Sequence, residues 1–223
     1  MSDTCAIVGV GGLGAPATAL LAALGHWPLR LIDPDHVELS NLPRQPLFGE
    51  GDLGKAKARA ATEQVQAQHA DRVVEFRQER LEGSNASDLL ADTAVVIDGT
   101  DNLATKRLLN QWCCENGVAL VHAGAVGWEG QLTTILPGKS ACLNCLFTDL
   151  SDDSEAASCE QEGILGPVVG AIGLAAAREA QSVLQGEPPA LAGRLGILNG
   201  RTLIWRSIAI ARRPECPACG KLA

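Results

Sequence analysis

The segment AIVGVGGLG near the start of the chain has the spacing and flanking sequence of a phosphate-binding turn. Its first, second and fourth glycines match G-x-G-x-x-G, and the next run, Gly14–Leu24, is rich in Ala and Leu. This succession predicts nucleotide binding, because backbone can approach a phosphate closely at glycine and a helix N-terminus offers free N–H groups. The alternative is a purely structural turn. The four glycines are Gly9, Gly11, Gly12 and Gly14.

Acidic residues follow two of the predicted strands. Asp33 closes the run LRLID, and Asp98 closes AVVID, after which GTDN supplies Asp101 and Asn102. Open α/β sheets bind ligands at the carboxyl ends of their strands, so Asp33 is placed to reach a ribose hydroxyl. Asp101 is placed to give a hard oxygen ligand to the magnesium of a triphosphate. The alternative is that Asp101 or Thr100 caps the next helix.

A polar loop behind Asp33 adds groups that suit a polyphosphate. Arg44 offers a planar fork of donors, and Lys57 offers a point charge. Asn41 and Gln45 belong to the same segment, SNLPRQ. Taken singly, each is explained as a solvated charge or a turn former, so the prediction depends on their occurring together.

Two C-x-x-C pairs predict a tetrahedral zinc site. With four thiolate ligands the site has no open position, so the zinc is structural and ties the C-terminal hairpin to the middle of the chain. The alternative is two unrelated redox pairs. The predicted ligands are Cys142, Cys145, Cys216 and Cys219.

Cys159 lies in an acidic segment and has no partner by spacing. It is either a nucleophile or a spare exposed thiol. Neighbouring carboxylates such as Asp153 and Glu160 disfavour the thiolate.

Composition restricts the partners and the compartment. The chain has 223 residues, a net charge of −8 and a pI near 5.0, which gives a nucleic-acid partner no electrostatic support. The N-terminus has no basic flank or cleavable signal pattern, and the least polar long run, 164–177, contains Pro167 and is too short to span a membrane. We therefore expect a cytoplasmic protein with reduced cysteines and no membrane partner.

Alternating patterns predict a Rossmann-like α/β fold, with a mostly parallel sheet and helices on both faces. Residues 1–125 form the nucleotide-binding part. Residues 126–223 form an antiparallel extension with a C-terminal zinc-bound hairpin, in which Asn199-Gly200 predicts the turn. We expect one domain over 1–223. The predicted strands are 6–10, 29–33, 73–77, 94–98, 119–123, 130–136, 195–198 and 203–209, and the predicted helices are 14–24, 55–69, 85–91, 103–116 and 164–184.

The segments VGVGGLGAP, LIDPDHVELSNLPRQ, GKAK, DGTDN, CLNC, CPAC and SCEQEGILGPVVGAIG together resemble one family. It is the ThiF/MoeB/HesA family, the ubiquitin-activating-enzyme-like adenylyltransferases of sulfur-carrier pathways. The resemblance extends over nearly the whole chain. The segments LIWRSIAIARRPECPACG and SCEQEGILGPVVG look closer to the thiamine-biosynthesis ThiF type than to the MoeB type.

The resemblance implies roles for individual residues. The glycines cradle ATP, Asp33 holds the ribose, Lys57 rather than Lys55 reaches the phosphates, and Asp101 holds magnesium. Cys159 matches a cysteine of the family's crossover loop, here residues 146–163, which joins the carrier through an acyl disulfide in the ThiF type. The implied nucleotide-binding residues are Gly9, Gly11, Gly12, Gly14, Asp33, Asn41, Arg44, Gln45, Lys57, Asp98, Asp101 and Asn102. The implied catalytic residues are Arg44, Lys57, Asp101 and Cys159.

The implied reaction is ATP-dependent adenylation of the C-terminal Gly-Gly carboxylate of a ubiquitin-like sulfur carrier (ThiS-like), before sulfur transfer to a thiocarboxylate. The implied partners are that carrier, a cysteine desulfurase or other sulfur donor, and a second copy of the chain in a homodimer. One alternative is MoeB-like activation of the small subunit of molybdopterin synthase. Another is a non-catalytic relic that binds nucleotide or carrier, because residues before the first predicted strand lack the family's RYxRQ-like motif. A nicotinamide-binding Rossmann protein is disfavoured by SNLPRQ and Lys57.

Overall fold

The computed structural model describes residues 3–147 and 165–221. Within these ranges the strands are β1 (Thr4–Val8), β2 (Leu29–Ile32), β3 (Val74–Arg77), β4 (Thr93–Asp98), β5 (Ala119–Val126), β6 (Glu129–Ile135), β7 (Arg194–Asn199) and β8 (Ile204–Ala209). The α-helices are α1 (Gly14–Leu24), α2 (Lys57–Gln68), α3 (Ala86–Leu89), α4 (Leu103–Asn116), α5 (Leu143–Leu146) and α6 (Gly166–Leu184). Two 3-10 helices span Leu39–Arg44 and Glu50–Asp52.

All eight strands form one sheet in the order β3-β2-β1-β4-β5-β6-β7-β8. The first five strands pair in parallel, and β5 to β8 pair antiparallel. The prediction of a Rossmann-like parallel sheet continued by an antiparallel extension is therefore confirmed.

The sheet has an apolar layer on each face. Successive residues of β1 point to opposite faces, as strand geometry requires. Ile7 packs into the cluster built with α1, α2 and α6, and Ala6 packs into the cluster built with α3, α4 and the cysteine knuckles. The expected helices on both faces are confirmed, and the carboxyl ends of the central strands remain open between them.

Two strand boundaries differ from the predicted ones, at the end of β1 and at the hairpin between β7 and β8. The first strand ends at Val8, before the predicted residue 10, because Gly9 takes a φ of +85°. The hairpin predicted around Asn199-Gly200 is present, with Asn199 as the last paired residue of its strand, opposite Ile204, and with residues 200–203 as the loop. Asn199 Oδ1 accepts hydrogen bonds from the N–H groups of Arg201 (2.9 Å) and Thr202 (3.2 Å), which stabilises this loop.

The termini of two helices follow from local sequence. Helix α6 begins at Gly166 with Pro167 in its first turn, where the missing N–H of proline costs nothing. Helix α4 ends at Gly117, which adopts the left-handed conformation with φ +69°. In the described residues, no helix combines the length and the apolar character needed to cross a membrane.

Candidate active site

A cavity of about 570 Å³ lies at the carboxyl ends of β1, β2, β4 and β5. It brings together side chains and backbone from the glycine turn, the polar loop, α2 and α4. The predicted site residues that line it are Gly9, Gly11, Gly12, Asp33, Arg44, Gln45, Lys57, Asp101 and Asn102. Gly14, Asn41 and Asp98 lie behind its walls.

The glycine turn forms the floor of the cavity and joins β1 to α1. A Cβ on Gly14 would lie 1.9 Å from the carbonyl oxygen of Gly9, so this glycine permits the close approach of helix and turn. A Cβ on Gly11 would meet nothing nearer than the Gln45 Nε2 at 3.6 Å. Gly14 is therefore required for packing, whereas Gly11 leaves the cavity floor free of side chain.

Asp33 is 4% exposed and lines the cavity at the end of β2. Its Oδ2 accepts the Val10 N–H at 2.6 Å and its Oδ1 accepts the Asp35 N–H at 2.8 Å. Burial raises the pKa of Asp33, and the backbone donors and Lys57 only partly oppose this rise. The remaining lone pairs of a carboxylate fixed in this way are suited to accept hydrogen bonds from hydroxyl groups.

Lys57 and Arg44 reach the cavity from two different elements. Lys57 opens α2, is 8% exposed, and places Nζ 3.2 Å from Asp35 Oδ2. Arg44 ends the first 3-10 helix and donates from Nη1 to the Ser40 carbonyl at 2.8 Å. Asp35 was not predicted, although its position two residues after Asp33 could have suggested that it holds a lysine.

The two predicted amides of the polar loop are buried. Gln45 is 3% exposed and lines the cavity, and Asn41 is 6% exposed behind it. The buried Asn41 Oδ1 and Gln45 Oε1 have no hydrogen-bond partner among the residues that the structure describes. Unpaired buried polar atoms beside a cavity are expected where a polar ligand supplies the missing partner.

Asp98 is fully enclosed, and four donors occupy its two oxygens. Oδ1 accepts from the N–H of Thr100 (3.1 Å) and from its Oγ1 (2.6 Å). Oδ2 lies 2.7 Å from His122 Nδ1 and 3.2 Å from Lys106 Nζ. Burial alone would raise the pKa of Asp98, but Lys106, His122 and Thr100 together hold it below its usual range. Asp98 therefore holds Thr100, Lys106 and His122 in position, and it is not one of the residues that line the cavity.

Asp101 and Asn102 have different roles at the start of α4. Asn102 is the N-cap, and its Oδ1 accepts the Thr105 N–H at 2.9 Å. Asp101 is exposed and lines the cavity, and among the described residues it makes no hydrogen bond or ion pair. An unengaged carboxylate at a nucleotide-sized cavity is chemically suited to a magnesium ion.

Several residues of the cavity wall were not predicted from the sequence, and three of them are basic or titratable. They are Lys106 and Arg107 on α4, and His122 on β5. Two nitrogens of Arg107, Nε and Nη2, are buried and have no hydrogen-bond partner within residues 3–147 and 165–221. The one available signal was His122, a polar residue within the apolar strand ALVHAGAV.

The four predicted zinc ligands converge in the buried cluster that also contains residues of α4. All four sulfurs lie within 4.8 Å of one another, and all four residues are buried. Cys142 and Cys216 are 3.6 Å apart, and Cys145 and Cys219 are 3.5 Å apart. A tetrahedral site with Zn–S bonds of about 2.3 Å needs sulfurs roughly 3.8 Å apart, so this cluster fits zinc. The predicted nucleophile Cys159 lies outside the described residues.

Comparisons with known proteins show which family the chain resembles along its length. A family model described as the ThiF family matches residues 2–218. The chain is 39% identical over 216 residues to the sulfur carrier protein ThiS adenylyltransferase of Escherichia coli, covering 96% of this chain and 84% of that protein. It is 37% identical over 221 residues to the SAMP-activating enzyme E1 of Haloferax volcanii, covering 99% and 82%.

One further protein is similar in sequence over about half of its own length, and one solved structure is similar in fold. The adenylyltransferase and sulfurtransferase MOCS3 of Caenorhabditis briggsae is 35% identical over 216 residues, which is 96% of this chain and 54% of that protein. The crystal structure of E. coli MccB with ATP superimposes with a TM-score of 0.84 at 20% identity, over 98% of this chain and 67% of that one.

Proposed function

Because the chain belongs to the ThiF family, we propose that it adenylates the C-terminal Gly-Gly carboxylate of a ubiquitin-like, ThiS-like sulfur carrier, using ATP. The single observation that supports this most is one cavity that contains the glycine turn, Asp33, Lys57 and Asp101. The reaction is inferred from the family, and the residues that line the cavity have side chains suited to that reaction.

The proposed chemistry is an attack of the carrier's carboxylate on the α-phosphate of ATP, which releases pyrophosphate. The carboxylate is ionised at neutral pH, so this step needs no general base. Asp33 orients the ribose, and Arg44 and Lys57 hold the phosphate oxygens, so that catalysis is alignment with charge stabilisation. When bound at Asp101, magnesium neutralises phosphate charge.

Further parts of the proposal come from the resemblance alone. They are the homodimer, a cysteine desulfurase or other sulfur donor, the cytoplasmic location, and a covalent role for Cys159. The cluster of four cysteines supports a structural metal that fastens the segment after β8 to the start of α5, since Cys216 and Cys219 come from the former and Cys142 and Cys145 from the latter.

The proposal is tested by ATP–pyrophosphate exchange with magnesium and candidate Gly-Gly carriers of the thiamine and molybdopterin pathways. We expect exchange with a ThiS-like carrier, and none when the two terminal glycines are deleted. Exchange only with the small subunit of molybdopterin synthase would identify the MoeB type. Carrier binding without any exchange would overturn the enzymatic proposal in favour of a relic.

A further inference from the structure

His122 is a buried histidine that the adenylation step does not use. It lies on β5, is 3% exposed and lines the cavity. Its Nδ1 is 2.7 Å from Asp98 Oδ2. That carboxylate already accepts from Thr100 and Lys106, so the proton of this contact belongs to Nδ1 and the imidazole donates it.

The other ring nitrogen of His122 is left available. No described residue bonds to Nε2, and Nε2 is not among the buried polar atoms that lack a partner. Because His122 lines the cavity and Asp98 holds Nδ1, Nε2 is the ring nitrogen that a group bound in the cavity can contact. With Nδ1 protonated and fixed by Asp98, Nε2 of the neutral ring carries a lone pair directed away from the carboxylate.

The surroundings of His122 act on its ring in opposite directions. Burial and Lys106 favour the neutral ring, whereas Asp98 favours the protonated ring. Lys106 projects from α4 towards Asp98 and also donates to the Ala123 carbonyl at 3.0 Å. On β6 the register partner of His122 is Thr133, which carries no charge. Burial first, and then Lys106, lower the pKa of His122, against the opposing effect of Asp98. An imidazolium formed at Nε2 would face Asp98 through its Nδ1–H.

A proton must be removed after adenylation, not during it. The acyl adenylate of the proposed function is consumed by a sulfur nucleophile, and an ordinary thiol is mostly protonated at neutral pH. An Asp-oriented imidazole with a free Nε2 is an arrangement that removes such a proton.

We propose that His122 is the general base that deprotonates the thiol attacking the acyl adenylate. The S–H proton passes to Nε2, a bond forms between sulfur and the acyl carbon, and the bond from that carbon to the phosphate oxygen breaks. AMP leaves with the electron pair, and the product is a thioester, so no oxidant or reductant is needed. Asp98 and Lys106 are positioning residues for this step. The inference rests on the proposed function.

The test uses adenylate formed beforehand on the intact protein and measures its discharge by two nucleophiles. Dithiothreitol is largely protonated at neutral pH, whereas thioacetate is already ionised and needs no base. His122→Asn retains an N–H that can face Asp98 and removes Nε2. We expect it to lower the ratio of the dithiothreitol rate to the thioacetate rate by about 100-fold. Because both rates start from the same adenylate, the ratio is independent of how fast adenylate forms.

A second variant guards against a folding defect. We expect His122→Ala to show the same reduced ratio, and added imidazole to restore discharge by dithiothreitol. An unchanged ratio in both variants, or an equal loss with both nucleophiles, would overturn the general-base role. Failure of the unmodified protein to form any adenylate would instead refute the proposed function.

Discussion

Asn102 caps α4 by accepting the Thr105 N–H at 2.9 Å, which leaves the neighbouring Asp101 unengaged at the cavity. The sequence allowed either Thr100 or Asp101 to be the cap. Since Asn102 performs that task, a carboxylate at residue 101 has no structural partner among the described residues.

Asp101→Ala should therefore abolish adenylation without weakening the fold. The matched change Asn102→Ala removes the cap and should cost about 1 kcal/mol of unfolding free energy. Pyrophosphate exchange and urea unfolding measure the two effects. Full exchange activity in the Asp101 variant would remove this carboxylate from the site.

Lys57→Met should weaken ATP binding by at least about tenfold, because a buried ammonium at the cavity is lost. Lys55→Met is the control. Lys55 binds Asp52 and Glu63 at the surface and does not line the cavity, so its loss should leave ATP affinity unchanged. Calorimetric titration with a non-hydrolysable ATP analogue distinguishes them, and equal losses would contradict the assignment of Lys57.

Gly14→Ala should reduce the stability of the protein, whereas Gly11→Ala should reduce only its affinity for nucleotide. At Gly14 the new Cβ would fall 1.9 Å from a backbone oxygen, so the variant should lose several kcal/mol of stability or fail to fold. At Gly11 the methyl group meets only cavity space, so we expect a normal melting temperature and weaker nucleotide binding. Thermal unfolding with and without ATP tests both, and a stable Gly14 variant would show that the turn can rearrange.

Cys142→Ser should lose the metal and loosen the segment that carries Cys216 and Cys219. Cys5→Ser is a control, because Cys5 is buried in β1 on the opposite face of the sheet. Elemental analysis should find one zinc per chain in the parent and in the control, and less in the Cys142 variant. Stoichiometric zinc in that variant would refute the four-cysteine assignment.

The free energy of unfolding should vary with pH in a way that reveals the ionisation of Asp98. Its pKa is lowered in the folded protein, so its stabilising contribution is complete above the ordinary carboxyl pKa of 3.8 and is lost as pH falls further below that value. Asp98→Asn should destabilise the protein at pH 7, and the difference from the parent should shrink only below about pH 4. Urea unfolding from pH 7 to pH 3 measures this, and a difference that stays constant down to pH 3 would mean that the pKa of Asp98 is the same in the folded and unfolded protein.

Sequence patterns predicted the elements that depend on nearby residues. The glycine turn into Gly14–Leu24 and the parallel alternation of strands follow from periodicity and backbone chemistry, which act over a few residues. The hairpin around Asn199-Gly200 was also predicted, and only its register differs by one residue, because Asn199 pairs with Ile204.

The sequence by itself determined the glycine turn, the four cysteines and the family, since these depend on residue type and spacing along the chain. Only the tertiary structure decided that Asp98 is enclosed, that Lys57 faces Asp35, and that Asp98 holds one nitrogen of His122 while no described residue bonds to the other. Each of these depends on which side chains of distant segments meet after packing, and packing, not spacing, decides which polar groups are satisfied and which remain available to a substrate.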